Sequence, residues 1–251
     1  GVAIVAAAAG ALAARRRRLR CGGGGHGRGH RARLARLTRR AAEEVEAVTK
    51  AIAQDPFDKD AILAACGGLP PAPADAVAQL LGDWKVEWSS LQSRPSNEKP
   101  AVIKLRFLSF GALPDVEVSV VGGYNRVSGS ADGGLYELFQ VFTVPGAAEG
   151  ATAAMVLGGP WSPAGPEQPG RASVHFQTVT LVPSAEDRQR SADMLEAAGL
   201  RVLLPIPVKA PPTYIDVEYI DGAMRVHKGE SGATYVLSRG DVPFKSGDGG
   251  A

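Results

Sequence analysis

The chain has 251 residues, 45% of them hydrophobic, enough apolar material for an ordinary core, which excludes global disorder. Its net charge of +2 conceals a division: residues 1–42 hold eleven Arg and no acid, while the remainder holds 17 of the 28 basic residues and all 26 acidic ones. Two cysteines, Cys21 and Cys66, argue against a disulfide framework, and no apolar run reaches the ~18 residues that a membrane-spanning helix needs.

Residues 1–42 are rich in Ala, Arg and Gly and free of acids, the composition of an organellar transit peptide, and a disordered leader is expected there. A nucleic-acid arm is the competing reading, because arginine clusters attract phosphate. No aromatic side chain interleaves with these arginines for base stacking, so targeting is preferred and no nucleic-acid partner is expected. Val45, Val48, Ile52 and Ala53 have helical spacing and predict an amphipathic helix over 41–54, ended by Pro56. A second short helix is expected over 58–66, closed by Gly67 and Gly68, and a third over 74–81. These form a helical segment, residues 43–82.

Strand signals begin at Trp84, Val86 and Trp88, which alternate with Lys85 and Glu87. Period-2 runs follow over 103–107, 116–120, 135–144, 152–157 and 174–182, then over 202–208, 214–220, 223–228 and 233–239. About ten short strands split by Gly, Pro, Asn and Asp predict a barrel or sandwich over residues 83–240. Residues 158–170, with four prolines and Trp161, read as an exposed flexible loop. A helix interrupts the strands between Ser184, its expected cap, and Gly199. Residues 241–251 read as a disordered tail.

The register of the last three strands follows from their turns. Asp221-Gly222 is a type I′ hairpin signal, and a two-residue loop there puts Tyr219 opposite Met224 and Val217 opposite Val226. Glu218 then faces Arg225, and Asp216 faces His227. A four-residue loop, 229–232, puts Val226 opposite Tyr235 and Met224 opposite Leu237. One face is apolar and is expected to turn into the barrel; the other pairs opposite charges.

At these residues the sequence resembles the fibrillin family of plastid lipid-associated proteins. The family signature is matched by Tyr219-Ile-Asp221, Met224-Arg225-Val, Lys228-Gly229, Gly232 and Tyr235-Val-Leu237, with Glu218 and Ala223 departing from it. Leu81-Gly-Asp-Trp84-Lys-Val-Glu-Trp88-Ser-Ser is similar to the family's opening strand and to the Gly-x-Trp start of lipocalins. The resemblance implies a mainly β fold with short N-terminal helices, namely a lipocalin-like antiparallel barrel. It also implies a non-enzymatic plastid protein of thylakoid or plastoglobule surfaces that binds carotenoids, quinones or other prenyl lipids without a cofactor.

Trp84 is expected to close one barrel end beneath an Arg from a late strand. Trp88, Phe107, Phe139, Tyr219, Met224, Val226 and Tyr235 are the candidate ligand-binding residues, and their aromatics either line a cavity or fill a core. Trp161 is a candidate lipid contact. No Cys/His cluster has metal-ligand spacing and no Gly-x-Ser-x-Gly elbow is present. A scaffold with a filled barrel and an enzyme acting on a prenyl lipid stand as alternatives.

Overall fold

The computed structural model describes residues 27–54, 57–91, 102–201 and 205–244. Helices come first: α1 (Gly27–Ile52), α2 (Lys59–Gly68) and a 3-10 turn, Ala76–Leu80. Helix α1 starts before Ala41, so residues 27–42 of the expected disordered leader are helical; residues 1–26 lie outside the described ones. The pairs Arg39–Glu43 (2.9 Å) and Arg40–Glu44 (2.8 Å) join the basic half of α1 to its acidic half at i,i+4 spacing. Asp58 caps α2 by accepting from the backbone N–H groups of Asp60 and Ala61.

The strands are β1 (Gly82–Ser89), β2 (Val102–Lys104), β3 (Glu117–Ser130), β4 (Gly133–Thr143), β5 (Ala153–Pro163), β6 (Arg171–Val174) and β7 (Thr178–Pro183). After them come β8 (Ile206–Pro207), β9 (Thr213–Ile220), β10 (Met224–Gly229) and β11 (Thr234–Arg239). A single helical turn, α3 (Leu105–Leu108), follows β2, and α4 (Arg188–Ala197) follows β7. Pairing runs β1–β11–β10–β9–β6–β5–β4–β3 and returns to β1, always antiparallel, so eight strands close into a barrel. Strands β2, β7 and β8 extend the sheet outside this ring. The fold is mainly β and lipocalin-like, and a ring of about eight strands can hold one small ligand.

Several expected elements differ. The run 103–107 is a strand only to Lys104 and then turns, which leaves Phe107 exposed on α3. The expected loop 158–170 begins as strand: β5 continues to Pro163 and buries Trp161, whose indole N–H donates to the Ser128 carbonyl at 3.1 Å. Gly158 and Gly159 permit this, since a Cβ on Gly159 would collide with the His175 carbonyl, where β6 gives way to β7. Asp187, not Ser184, caps α4, accepting from the Arg190 N–H at 3.1 Å. In the expected tail, Val242 and Phe244 are buried, and Phe244 stacks on Phe139 with ring centroids 6.3 Å apart. Residues 245–251 lie outside the described ones.

The barrel register also departs from expectation. Asp221 Oδ1 accepts from the N–H groups of both Ala223 and Met224 at 2.7 Å, so its side chain builds a four-residue loop instead of a type I′ turn. Ile220 consequently faces Arg225, and Tyr219 faces Val226. A bulge at Glu218 then brings Val217 opposite His227. Between β10 and β11 the loop is one residue longer than expected, so Val226 meets Val236 and His227 meets Tyr235. A one-residue slip exchanges the faces of a strand. Met224 and Val226 therefore point outward, and Arg225 and His227 point into the barrel.

Both faces of β10 are buried, which is why an apolar outer face is stable here. The outer surface of β9, β10, β11 and β1 packs against α1 and α2: Tyr219, Met224, Val226, Val236 and Trp88 form one cluster with Val48 and Ile62. A bulge at Glu87 sends Trp88 outward while Trp84 and Val86 remain inside. Fully burying one such side chain contributes roughly 1.5–3 kcal/mol, so this seam adds to the stability that the larger barrel interior supplies.

Candidate functional site

One end of the barrel is closed. The indole N–H of Trp84 donates to the Leu80 carbonyl at 2.8 Å, and the Arg239 guanidinium lies 3.7 Å from the Trp84 ring centroid. Arg239 also donates to the backbone carbonyls of Leu81 and Gln79, clamping the 3-10 turn across the opening. This is the expected arrangement of Trp84 beneath a late-strand Arg, and cation–π attraction accounts for it.

Next to the indole lies Arg225, fully buried, with its guanidinium 4.9 Å from the ring centroid. Arg225 Nη2 donates to Asn125 Oδ1 at 2.5 Å, and the Tyr136 hydroxyl donates to the same oxygen at 2.8 Å. Arg225 Nε and Nη1 have no hydrogen-bond partner. Burial, opposed in part by Tyr136, pushes the Arg225 pKa down, and burial pushes that of Tyr136 up.

Beyond this layer the barrel is hollow. A cavity of about 370 Å³ takes lining from seven of the eight barrel strands, leaving out β5. Its walls are mainly apolar, with Val86, Leu138, Val174, Phe176, Ile215 and Tyr235 among them. Asn125, Tyr136, Gln140 and His227 supply polar groups. His227 is 4% exposed, stacks on Tyr235 with centroids 5.1 Å apart, and has an Nδ1 without a partner. Burial, reinforced by the charge of Arg225, holds its imidazole well below the ordinary range, so it is neutral near pH 7. Gln140 Oε1 is likewise buried without a partner. A depression of similar size, about 380 Å³, lies along β1 and β3 beneath Phe244 and is lined largely by charged and small residues.

Of the seven expected ligand-binding residues, only Tyr235 lines the cavity. Trp88, Tyr219, Met224 and Val226 lie on the outer wall under the helices, for the register reasons above. Phe139 is also on the outer wall, packed with Phe244 and covered by the Arg126 guanidinium at 5.5 Å. Phe107 is 71% exposed, one turn before Phe110, which lines the cavity and is itself exposed. Trp161 is buried in the barrel core.

The expected charge ladder is re-sorted. Glu218 pairs with Lys228 at 2.5 Å and Asp216 with Arg171 at 2.6 Å, both on the outer surface. Among the signature positions, Asp221 shapes its turn and accepts from the Tyr219 hydroxyl at 2.6 Å. Gly229 and Gly232 form the next loop, with Gly232 at φ +78°.

Asn125, Tyr136 and Gln140 were not anticipated. Their signal is polar residues at inward parity within otherwise strand-forming runs, which a barrel interior tolerates only when they meet one another or a ligand. No family model, no curated protein and no solved structure matches the chain.

Proposed function

We propose that this chain is a non-enzymatic binder of small hydrophobic molecules, held inside the barrel. The observation that carries the reading is the apolar cavity of about 370 Å³ into which His227 and Gln140 bring buried, unpartnered polar atoms. Ligand sites are mostly apolar, on the order of 300–1,000 Å³, with a few placed polar groups that fix orientation. A filled scaffold barrel has no use for orphaned polar atoms, each of which costs about 1–3 kcal/mol when buried.

The resemblance to plastid lipid-associated proteins at Trp84–Ser90 and Glu218–Leu237, together with the acid-free arginine-rich residues 1–42, supports a plastid protein of thylakoid or plastoglobule surfaces. Prenyl lipids, carotenoids and quinones are the ligand classes that this resemblance suggests. Exposed Phe107 and Phe110 near the mouth are consistent with uptake from a lipid surface, since exposed aromatics favour such interfaces.

The test is a titration of the wild type and Leu138→Trp with a short-chain prenyl quinone. Leu138 lines the cavity, so the indole fills it and affinity falls by about tenfold or more. Unchanged affinity in a folded variant would put the binding site outside the barrel.

A further inference from the structure

Arg225 is a buried cation with no ion-pair partner among the described residues. Its side-chain partners, the Asn125 amide oxygen and the Tyr136 hydroxyl, are both neutral, two of its donor nitrogens are unpartnered, and its charged neighbour is another cation, Arg239. The two guanidiniums share the Trp84 ring, at 4.9 and 3.7 Å from its centroid. Arg239 reaches backbone carbonyls at the closed end, so its charge is answered there. Arg225 has no such answer. A buried charge without a counter-charge is costly, and proteins ordinarily pair it.

Two of the residues that touch Arg225, Asn125 and Tyr136, line the cavity. Asn125 lines it, and its Oδ1 is already engaged by both Arg225 and Tyr136, which leaves the amide N–H groups as donors for a guest. His227, on the same wall, adds a ring nitrogen without a partner. The Asn125 donors lie in the field of a positive charge; Tyr136, Gln140, Thr213, Glu230 and Ser231 also line the cavity, and its other walls are apolar. A neutral oil would leave both the donors and the charge unmatched.

We infer that the natural ligand is an amphiphilic monocarboxylate that enters head-first, its anionic oxygens meeting Asn125 and His227 within the field of Arg225 and its hydrocarbon tail lying toward the mouth at Phe110. The inference rests on the reading of the barrel as a hydrophobic binder and departs from the uncharged ligand classes that the resemblance suggests, naming an anionic head group instead. Charge-assisted hydrogen bonds are about twice as strong as neutral ones, so the head group sets the ranking among ligands of equal tail length.

The experiment is calorimetric titration of the full chain with dodecanoate, dodecanol and methyl dodecanoate, each below its aggregation threshold, at pH 7.5. Dodecanoate binds about tenfold or more tightly than the alcohol and the ester. Arg225→Gln keeps a donor for Asn125 and removes the charge; in it dodecanoate falls to the affinity of dodecanol, while dodecanol changes by less than about threefold. Should that variant fail to fold, the three-ligand ranking on the wild type decides alone. Equal affinities for all three in the wild type overturn the carboxylate inference and leave the hydrophobic-binding function standing. No binding by any of the three overturns both. Retention of the dodecanoate preference in folded Arg225→Gln overturns the role of the buried charge.

Discussion

His227 combines a 4% exposed ring, a stacked Tyr235 and an unpartnered Nδ1, and these make it a reporter of the barrel interior. Its pKa is lowered on folding by burial first and by Arg225 second. The unfolded chain therefore takes up a proton near pH 6.5 that the folded chain refuses, so stability rises with pH in that window and falls below it. Stability is therefore lost progressively as the pH falls below about 6.5. Urea denaturation at pH 7.5 and pH 5 measures the loss, and His227→Gln flattens the pH dependence. An unaltered slope in the variant would mean that His227 titrates normally and is not buried. Cys66 shows a related effect: burial, with Glu218 nearby, raises its thiol to about 11, which keeps it protonated and unreactive near neutral pH.

Strand β10 shows how little separates two opposite readings of an element. Its sequence, Met-Arg-Val-His, alternates as a strand should, and the alternation was legible; which side faced the barrel was not. The assignment of apolar residues inward assumes that one face meets water, and here neither does. The Asp221 side-chain turn and the bulges at Glu218 and Glu87 then decided the partners. Those partners can be tested through charge. Glu218 and Lys228 are each about half exposed, so their coupling is on the order of 0.2–1 kcal/mol, discounted for solvent. Glu218→Lys destabilises by a similar amount, and adding Lys228→Glu restores it. Adding Arg225→Glu instead recovers nothing, because that carboxylate enters the barrel. Thermal unfolding of the two double variants separates the registers.

At the scale of the whole molecule, the barrel wall divides the apolar residues into three clusters: the core and cavity inside, the seam between the wall and helices α1 and α2, and the outer patch that Val242 and Phe244 cover. Val226 belongs to the seam. Val226→Trp overpacks it, at a cost of about 1–3 kcal/mol in stability, and leaves ligand affinity within about twofold. Thermal melting and a ligand titration on this one variant check both halves of the statement; lost affinity with unchanged stability would return Val226 to the cavity. The sequence by itself determined the class of the fold, because period-2 runs, turn residues and helix caps are local signals. It also determined the Trp84 closure and most element positions. The occupants of the cavity were decided only by tertiary structure. Inward or outward orientation depends on bulges and on whether distant helices cover the sheet, and neither leaves a trace in the alternation of a single strand. The polar floor arises in the same way. Asn125 and Tyr136 lie on the paired strands β3 and β4, but Arg225 is 100 residues from Asn125, and closure of the ring through β1 is what brings β10 to face them across the interior.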